Sequence, residues 1–162
     1  MSDAVRELFD EFRRDHATLG RGLHNIAVAL RAGDDEGASV AARDLDRAAG
    51  AHIAFEEGHF YPELRELLGD SEVDAFEREH ERGYSAIDRL LALKARGTLT
   101  PAERSELLRQ IEAMQTHTDE CGEHFGALGR IPLKRQKELL AALKQLREEA
   151  PTWTAVRAQG TA

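Results

Sequence analysis

The sequence predicts an all-α chain, an antiparallel up-down four-helix bundle with an additional C-terminal helix. Three observations lead there. The composition is 41% apolar and 32% charged but only 6% aromatic, with few β-branched residues, and this favours long amphipathic helices over strands. Hydrophobes recur every three or four positions through four long stretches. Short connections separate those stretches, so consecutive helices should run antiparallel. A length of 162 residues suits one domain with a core of its own.

Ser2 or Asp3 can cap the first helix, whose stripe is Val5, Leu8, Phe12, Leu19, Leu23, Ile26 and Leu30, with Gly33 as its stop. His16 fills the gap between Phe12 and Leu19 and therefore faces the core. Asp34-Asp35 starts the second helix, with Ala41, Leu45, Ala49, His52, Glu56 and His59 on one stripe. Pro62 kinks or ends it, and Gly69 is its outer limit. Ser71 and Asp74 resemble a capping box for a third helix with Val73, Phe76, His80, Tyr84, Ile87 and Leu91 inward, closed by Gly97. Thr100-Pro101 with Glu103 opens the fourth, striped by Leu107, Ile111, Met114, His117, Cys121, Phe125 and Leu128 and ending near Gly129. A fifth helix runs from Leu133 to Glu149 after Pro132, with Leu139, Leu140, Leu143 and Leu146 apolar and no unusual polar residue on its buried face. Residues 1–130 thus make the bundle, 131–150 a helix packed on the bundle or on a partner, and 151–162 a flexible tail.

A net charge of −8 argues against nucleic acid or an anionic membrane as partner, since both require a basic face. The lone cysteine excludes an internal disulfide. Residues 1–7 lack the basic start of a signal peptide, and no apolar run approaches the ~20 residues of a membrane span. These features predict a cytoplasmic protein, monomeric or, through the leucine side of the fifth helix, homodimeric.

The unusual residues lie on the stripes that should be apolar. His52-Ile53-Ala54-Phe55-Glu56-Glu57-Gly58-His59-Phe60-Tyr61-Pro62 is echoed by His117-Thr118-Asp119-Glu120-Cys121-Gly122-Glu123-His124-Phe125. Both place metal-competent side chains four and seven residues apart, on one helical face. Unpaired burial costs a few kcal/mol for each such group, and metal ligation is the reason that fits these residue types. In an up-down bundle His16, His52, His80 and His117 all fall about 14 to 21 Å along the axis at 1.5 Å per residue, one from each helix in one layer. The inward set is His16, His52, Glu56, His80 and His117, with Cys121 beside them. His59 and His124 lie about a turn nearer the bundle end, Glu57 is off the stripe, and His24 reads as an ordinary histidine. Imidazoles with a carboxylate suit iron, zinc or another divalent first-row ion. The ligand number exceeds the needs of one tetrahedral zinc, and two metals bridged by Glu56 account for it economically.

Asp15-His16, His52-x3-Glu56-Glu57-x3-Tyr61-Pro62-x-Leu64, Glu79-His80 and His117 resemble, in order and spacing over residues 3 to 129, the hemerythrin-like (HHE cation-binding) domain. The resemblance implies a four-helix bundle holding two irons per chain in a non-haem, oxo- or hydroxo-bridged centre, with His16, His52, Glu56, His80 and His117 matching ligands. It also implies dioxygen, peroxide or nitric oxide as small ligands. Cys121 stands where the family usually has a second carboxylate, and a thiolate there favours zinc or a differently tuned iron. His59, Cys121 and His124 are further ligand candidates, and Tyr84 and Tyr61 could donate hydrogen bonds at the site. Three readings follow: a di-iron protein that binds or senses dioxygen or related oxidants, a di-iron enzyme turning over peroxide or ferrous iron, and a mononuclear or zinc-bound structural or sensory module.

Overall fold

The computed structural model describes residues 2–160. Its helices are α1 (Asp3–Arg31), α2 (Asp35–Phe55), α3 (Tyr61–Leu68), α4 (Asp70–Leu91), α5 (Leu93–Arg96), α6 (Pro101–His124), α7 (Leu133–Glu149) and α8 (Trp153–Gly160). Glu56–Phe60 is a π-helical turn joining α2 to α3, and Phe125–Arg130 is a 3-10 segment after α6. Among the described residues there is no strand, and no helix is long and apolar enough to cross a membrane. The bundle consists of α1, the continuous α2–α3 segment, α4 and α6. Helix α1 packs against α2 and α6, and α4 packs against the same two, so chain neighbours are also spatial neighbours.

Local chemistry accounts for most boundaries. The Ser2 hydroxyl accepts from Val5 N at 3.2 Å to start α1, and the Asp34 carboxylate accepts from Gly37 N at 2.8 Å to start α2. Thr100 and Glu103 form a reciprocal capping box on α6, with Pro101 in the first turn. The start of α4 differs from expectation. It begins at Asp70 with no side-chain cap, because Arg65 draws Asp74 (2.7 Å) and Glu77 (2.9 Å) across the corner and Asp74 cannot serve a cap at Ser71. Gly69, at φ +95°, makes this one-residue corner possible.

On each bundle helix the inward histidine separates two apolar runs. Leu8 and Phe12 precede His16 in one cluster with Val73, Phe76, Cys121 and Phe125; Leu19, Leu23, Ile53, Ile87, Ile111 and Met114 belong to the other. A polar layer therefore lies between two hydrophobic cores.

The segment after the bundle departs from expectation in two ways. Of the two partners expected for the leucine side of α7, the chain's own bundle is the one that covers Leu139, Leu140 and Leu143. The buried face of α7 carries a polar residue after all: Gln136 is 6% exposed, donates to Ile131 O (2.7 Å) and Leu128 O (3.3 Å), and accepts from the Ser2 hydroxyl (2.6 Å). The stretch after Pro151 is no loose tail as far as residue 160; residues 161–162 lie outside the described residues. Trp153 is 1% exposed within the core, and Asp46 accepts from Thr154 N (2.8 Å) and its hydroxyl (2.9 Å). A Cβ on Gly50 would sit 1.8 Å from Pro151 O, so only glycine lets the Pro151-Thr152 segment cross α2 here. Burial of the indole and this close approach supply what the small-residue composition concealed.

Candidate metal centre

Glu56, 1% exposed, is the hub of the polar layer. Its two oxygens face different partners. Oε1 lies 3.0 Å from His52 Nε2, 3.5 Å from His16 Nε2 and 3.0 Å from the Cys121 Sγ that donates to it. Oε2 lies 3.1 Å from His80 Nε2 and accepts from the Tyr61 hydroxyl at 3.4 Å. Two metal-competent groups share this residue: His16, Glu56 and Cys121, and Glu56, His80 and His117, with the ligand atoms of each within 4.8 Å of one another. Donors on one metal with bonds of ~2.1 Å stand about 3 to 3.4 Å apart, the separation seen around Glu56.

The other ring nitrogens are held from outside. Nδ1 of His52 meets Asp15 Oδ2 at 3.1 Å, Nδ1 of His80 meets Glu57 Oε1 at 3.0 Å, and Nδ1 of His117 meets Glu79 Oε2 at 2.5 Å. Each carboxylate accepts from Nδ1–H, which turns Nε2 toward Glu56 and would present its lone pair there to a bound metal. Asp15 is itself gripped by Arg147 of α7 at 2.7 Å, and Arg157 of α8 stands 4.0 Å from Glu57. Both C-terminal helices thus reach this outer ring. Helical spacing puts Glu57 off the inward stripe and assigns no role to Glu79 or Asp15. Their position next to, or one helix from, each histidine is the signal that could have found them.

Burial pulls against every charge here. It favours neutral imidazole at His52 and His80, but Glu56 with Asp15, and Glu56 with Glu57, outweigh it and raise both to about 9. Burial likewise pushes the Glu56 carboxyl up, yet the histidines around it hold it well below the usual carboxylate range. At His117 burial and the neighbouring His80 charge win, and the value falls. Burial and the Glu56 charge push the Cys121 thiol well up, so the metal-free side chain is a thiol. Among the described residues of this layer, one fully buried side-chain atom lacks a hydrogen bond: His52 Nε2, in a side chain 2% exposed, is close to Glu56 Oε1 but off the line a hydrogen bond requires. A buried, orphaned imidazole nitrogen within a set of nitrogen, oxygen and sulfur donors fits a first-row divalent ion.

His16, His52, Glu56, His80, His117 and Cys121 come together as the spacing predicts; His59, His124 and Tyr84 do not. The π-turn removes His59. Tyr61 N donates to Glu56 O, five residues back, and the extra residue rotates the downstream helix by about 100°. His59 then stacks on Phe55 outside the centre (6.2 Å between rings), and Tyr61 takes the inward place, its hydroxyl 3.0 Å from His80 Nε2 and 4.0 Å from Cys121 Sγ. Gly58 and Pro62 were the sequence signal, since Pro62 has no N–H for the Gly58 carbonyl and its ring crowds it. His124 is cut off by the Phe76 ring, edge-on to both His117 (5.5 Å) and His124 (5.2 Å), and bonds Glu72 (3.0 Å) instead. Tyr84 packs on Trp153 (5.9 Å) under α8.

The layer meets solvent at one side. His16, 14% exposed, forms the floor of a groove between α1 and α6 edged by Ala17, Gly20, Thr118 and Gly122. A Cβ on Gly122 would approach His16 Nδ1 to 3.4 Å.

In comparison with known proteins, the Hemerythrin HHE cation binding domain matches residues 7–125, a span that includes the whole of this layer. No curated protein and no solved structure matches the chain.

Proposed function

The chain belongs to the hemerythrin HHE cation-binding family and is a metal-binding helical protein; from that premise we propose that it carries a non-haem di-iron centre and binds or senses dioxygen or a related small oxidant. His16, His52, Glu56, His80 and His117 would hold the metals, with Glu56 bridging. The observation that carries this is the division of the Glu56 carboxylate, one oxygen toward His16 and His52 and the other toward His80. When bound, iron supplies redox and Lewis-acid chemistry. The protein's part is to keep three imidazoles oriented through Asp15, Glu57 and Glu79, to exclude bulk water with the Phe12 and Phe76 layer, and to admit a small molecule along the groove at His16. Dioxygen, peroxide and nitric oxide are of a size that such a groove passes.

Metal analysis of protein from iron-supplemented cells, with spectra before and after dithionite, tests the reading. About two irons per chain and a reducible near-ultraviolet band are expected for a di-iron site in a bundle core. A single zinc with no such band would overturn it and leave a structural or sensory module.

A second reading, turnover of peroxide or ferrous iron, is favoured by the Tyr61 hydroxyl and the Cys121 thiol, both against Glu56. Iron-loaded protein that neither evolves oxygen from peroxide nor oxidises added ferrous iron would remove it.

A further inference from the structure

The two oxygens of Glu56 do not face equivalent surroundings. Toward Oε2 the donors are imidazole nitrogens, His80 with His117, under the Tyr61 hydroxyl. Toward Oε1 they are His16 Nε2, His52 Nε2 and the Sγ of Cys121. Cys121 is fully buried, has no other cysteine to pair with, and aims its sulfur at the same carboxylate oxygen as both histidines. The buried Nε2 of His52 makes no hydrogen bond although Glu56 Oε1 is 3.0 Å away, and this misaligned contact points to a missing ligand at that spot independently of the cysteine. Packing alone would not bring an orphaned imidazole, a second imidazole and a thiol to one carboxylate oxygen, because each loses hydration there.

We infer that Cys121 is a metal ligand in its thiolate form, making the His16/His52/Glu56/Cys121 side a softer subsite for a borderline divalent ion, zinc or ferrous iron, beside a harder Glu56/His80/His117 subsite. The inference rests on reading the layer as a metal centre and specifies one half of it. Coordination breaks the S–H bond and forms a sulfur–metal bond. One proton is released to solvent for each ion bound through sulfur, and no electron is transferred. The metal supplies the stabilisation of the thiolate that the apolar surroundings of the free chain withhold. Thiolate also biases the subsite away from magnesium and calcium and toward the softer first-row ions.

Cobalt(II) is the probe, because thiolate coordination gives it a near-ultraviolet charge-transfer band and imidazole with carboxylate does not. The full-length chain is titrated with cobalt, followed optically and by X-ray absorption. The expected result is a sulfur neighbour at about 2.3 Å, a charge-transfer band, and in Cys121→Ser loss of the band with at least tenfold weaker binding of one cobalt per chain. The absorption measurement on the unaltered chain is decisive even where the variant folds poorly, and Cys121→Ala supplies a second variant. Two cobalt ions per chain with no sulfur neighbour would overturn the thiolate assignment and leave the dinuclear reading intact. A chain that binds no cobalt in this layer would overturn both.

Discussion

Glu57 Oε1 lies 3.0 Å from His80 Nδ1, and that contact decides which face of the imidazole is left for the centre. A carboxylate pointing away from the helix's own inward stripe reaches across to the next helix and fixes a tautomer there. Asp15 does the same for His52, and Glu79 for His117.

Glu57→Gln should therefore weaken metal binding by about 10- to 100-fold while leaving the number of bound ions unchanged, the usual cost of losing a carboxylate behind a ligating histidine. A competition titration against a chromophoric chelator measures this. Affinity equal to that of the unaltered chain would mean that His80 does not bind metal through Nε2.

Glu56→Gln keeps the side-chain volume but replaces one of the two oxygens that separate the ligand sets by an amide. Metal content is expected to drop from two ions to at most one per chain, with helicity retained because the two apolar clusters are untouched. Metal analysis beside far-ultraviolet circular dichroism distinguishes loss of the bridge from loss of the fold. Retention of both ions would remove the bridging role.

Gly50→Ala places a methyl where the Pro151 carbonyl now lies, 1.8 Å away, and must push the chain off α2. A loss of about 2 kcal/mol is expected, typical of overpacking a rigid contact. Trp153 is the chain's single tryptophan and is buried, so its fluorescence should shift to the red. An unchanged emission maximum and melting temperature would show that α8 does not dock there.

Asp35 joins the start of α2 to the start of α6: it accepts from Leu99 N at 3.0 Å and from Arg104 at 2.9 Å. Burial pushes its carboxyl up, but the Arg104 and Leu99 hydrogen bonds prevail and lower it below its ordinary 3.8. A depressed folded value means stability that is present above pH 3.8 and lost as pH falls through that lower value. Asp35→Asn should cost about 1 kcal/mol at pH 7, kept modest by the pair's contact with solvent, and much less near pH 2. Melting curves at both values check it; an equal deficit at both would assign the effect to packing instead of charge.

Much of this is legible in the sequence alone. The period of Val5, Leu8, Phe12 and Leu19 on α1, and of Leu107, Ile111 and Met114 on α6, identifies long helices because one face must be buried. The capping box at Thr100 and Glu103 is a local interaction, and it holds. The placement of His16, His52, His80 and His117 at one depth follows from counting residues in an up-down bundle, since helical rise is constant.

What counting missed involves interactions that are not periodic. The register slip at Glu56–Phe60 replaces His59 by Tyr61, and a fixed 100° per residue does not anticipate it. The pairs Asp15–His52, Glu57–His80 and Glu79–His117 run between helices, so the partner of each histidine depends on how two helices pack. The docking of Trp153 depends on Gly50 and Gly83 coming together with it from two other helices. The sequence by itself determined the helices, their order and the depth of the polar layer, because each depends on local periodicity and a constant rise. Only the tertiary structure decided which nitrogen faces inward, which tyrosine reaches the centre and what Cys121 touches, because those contacts join residues brought together by packing.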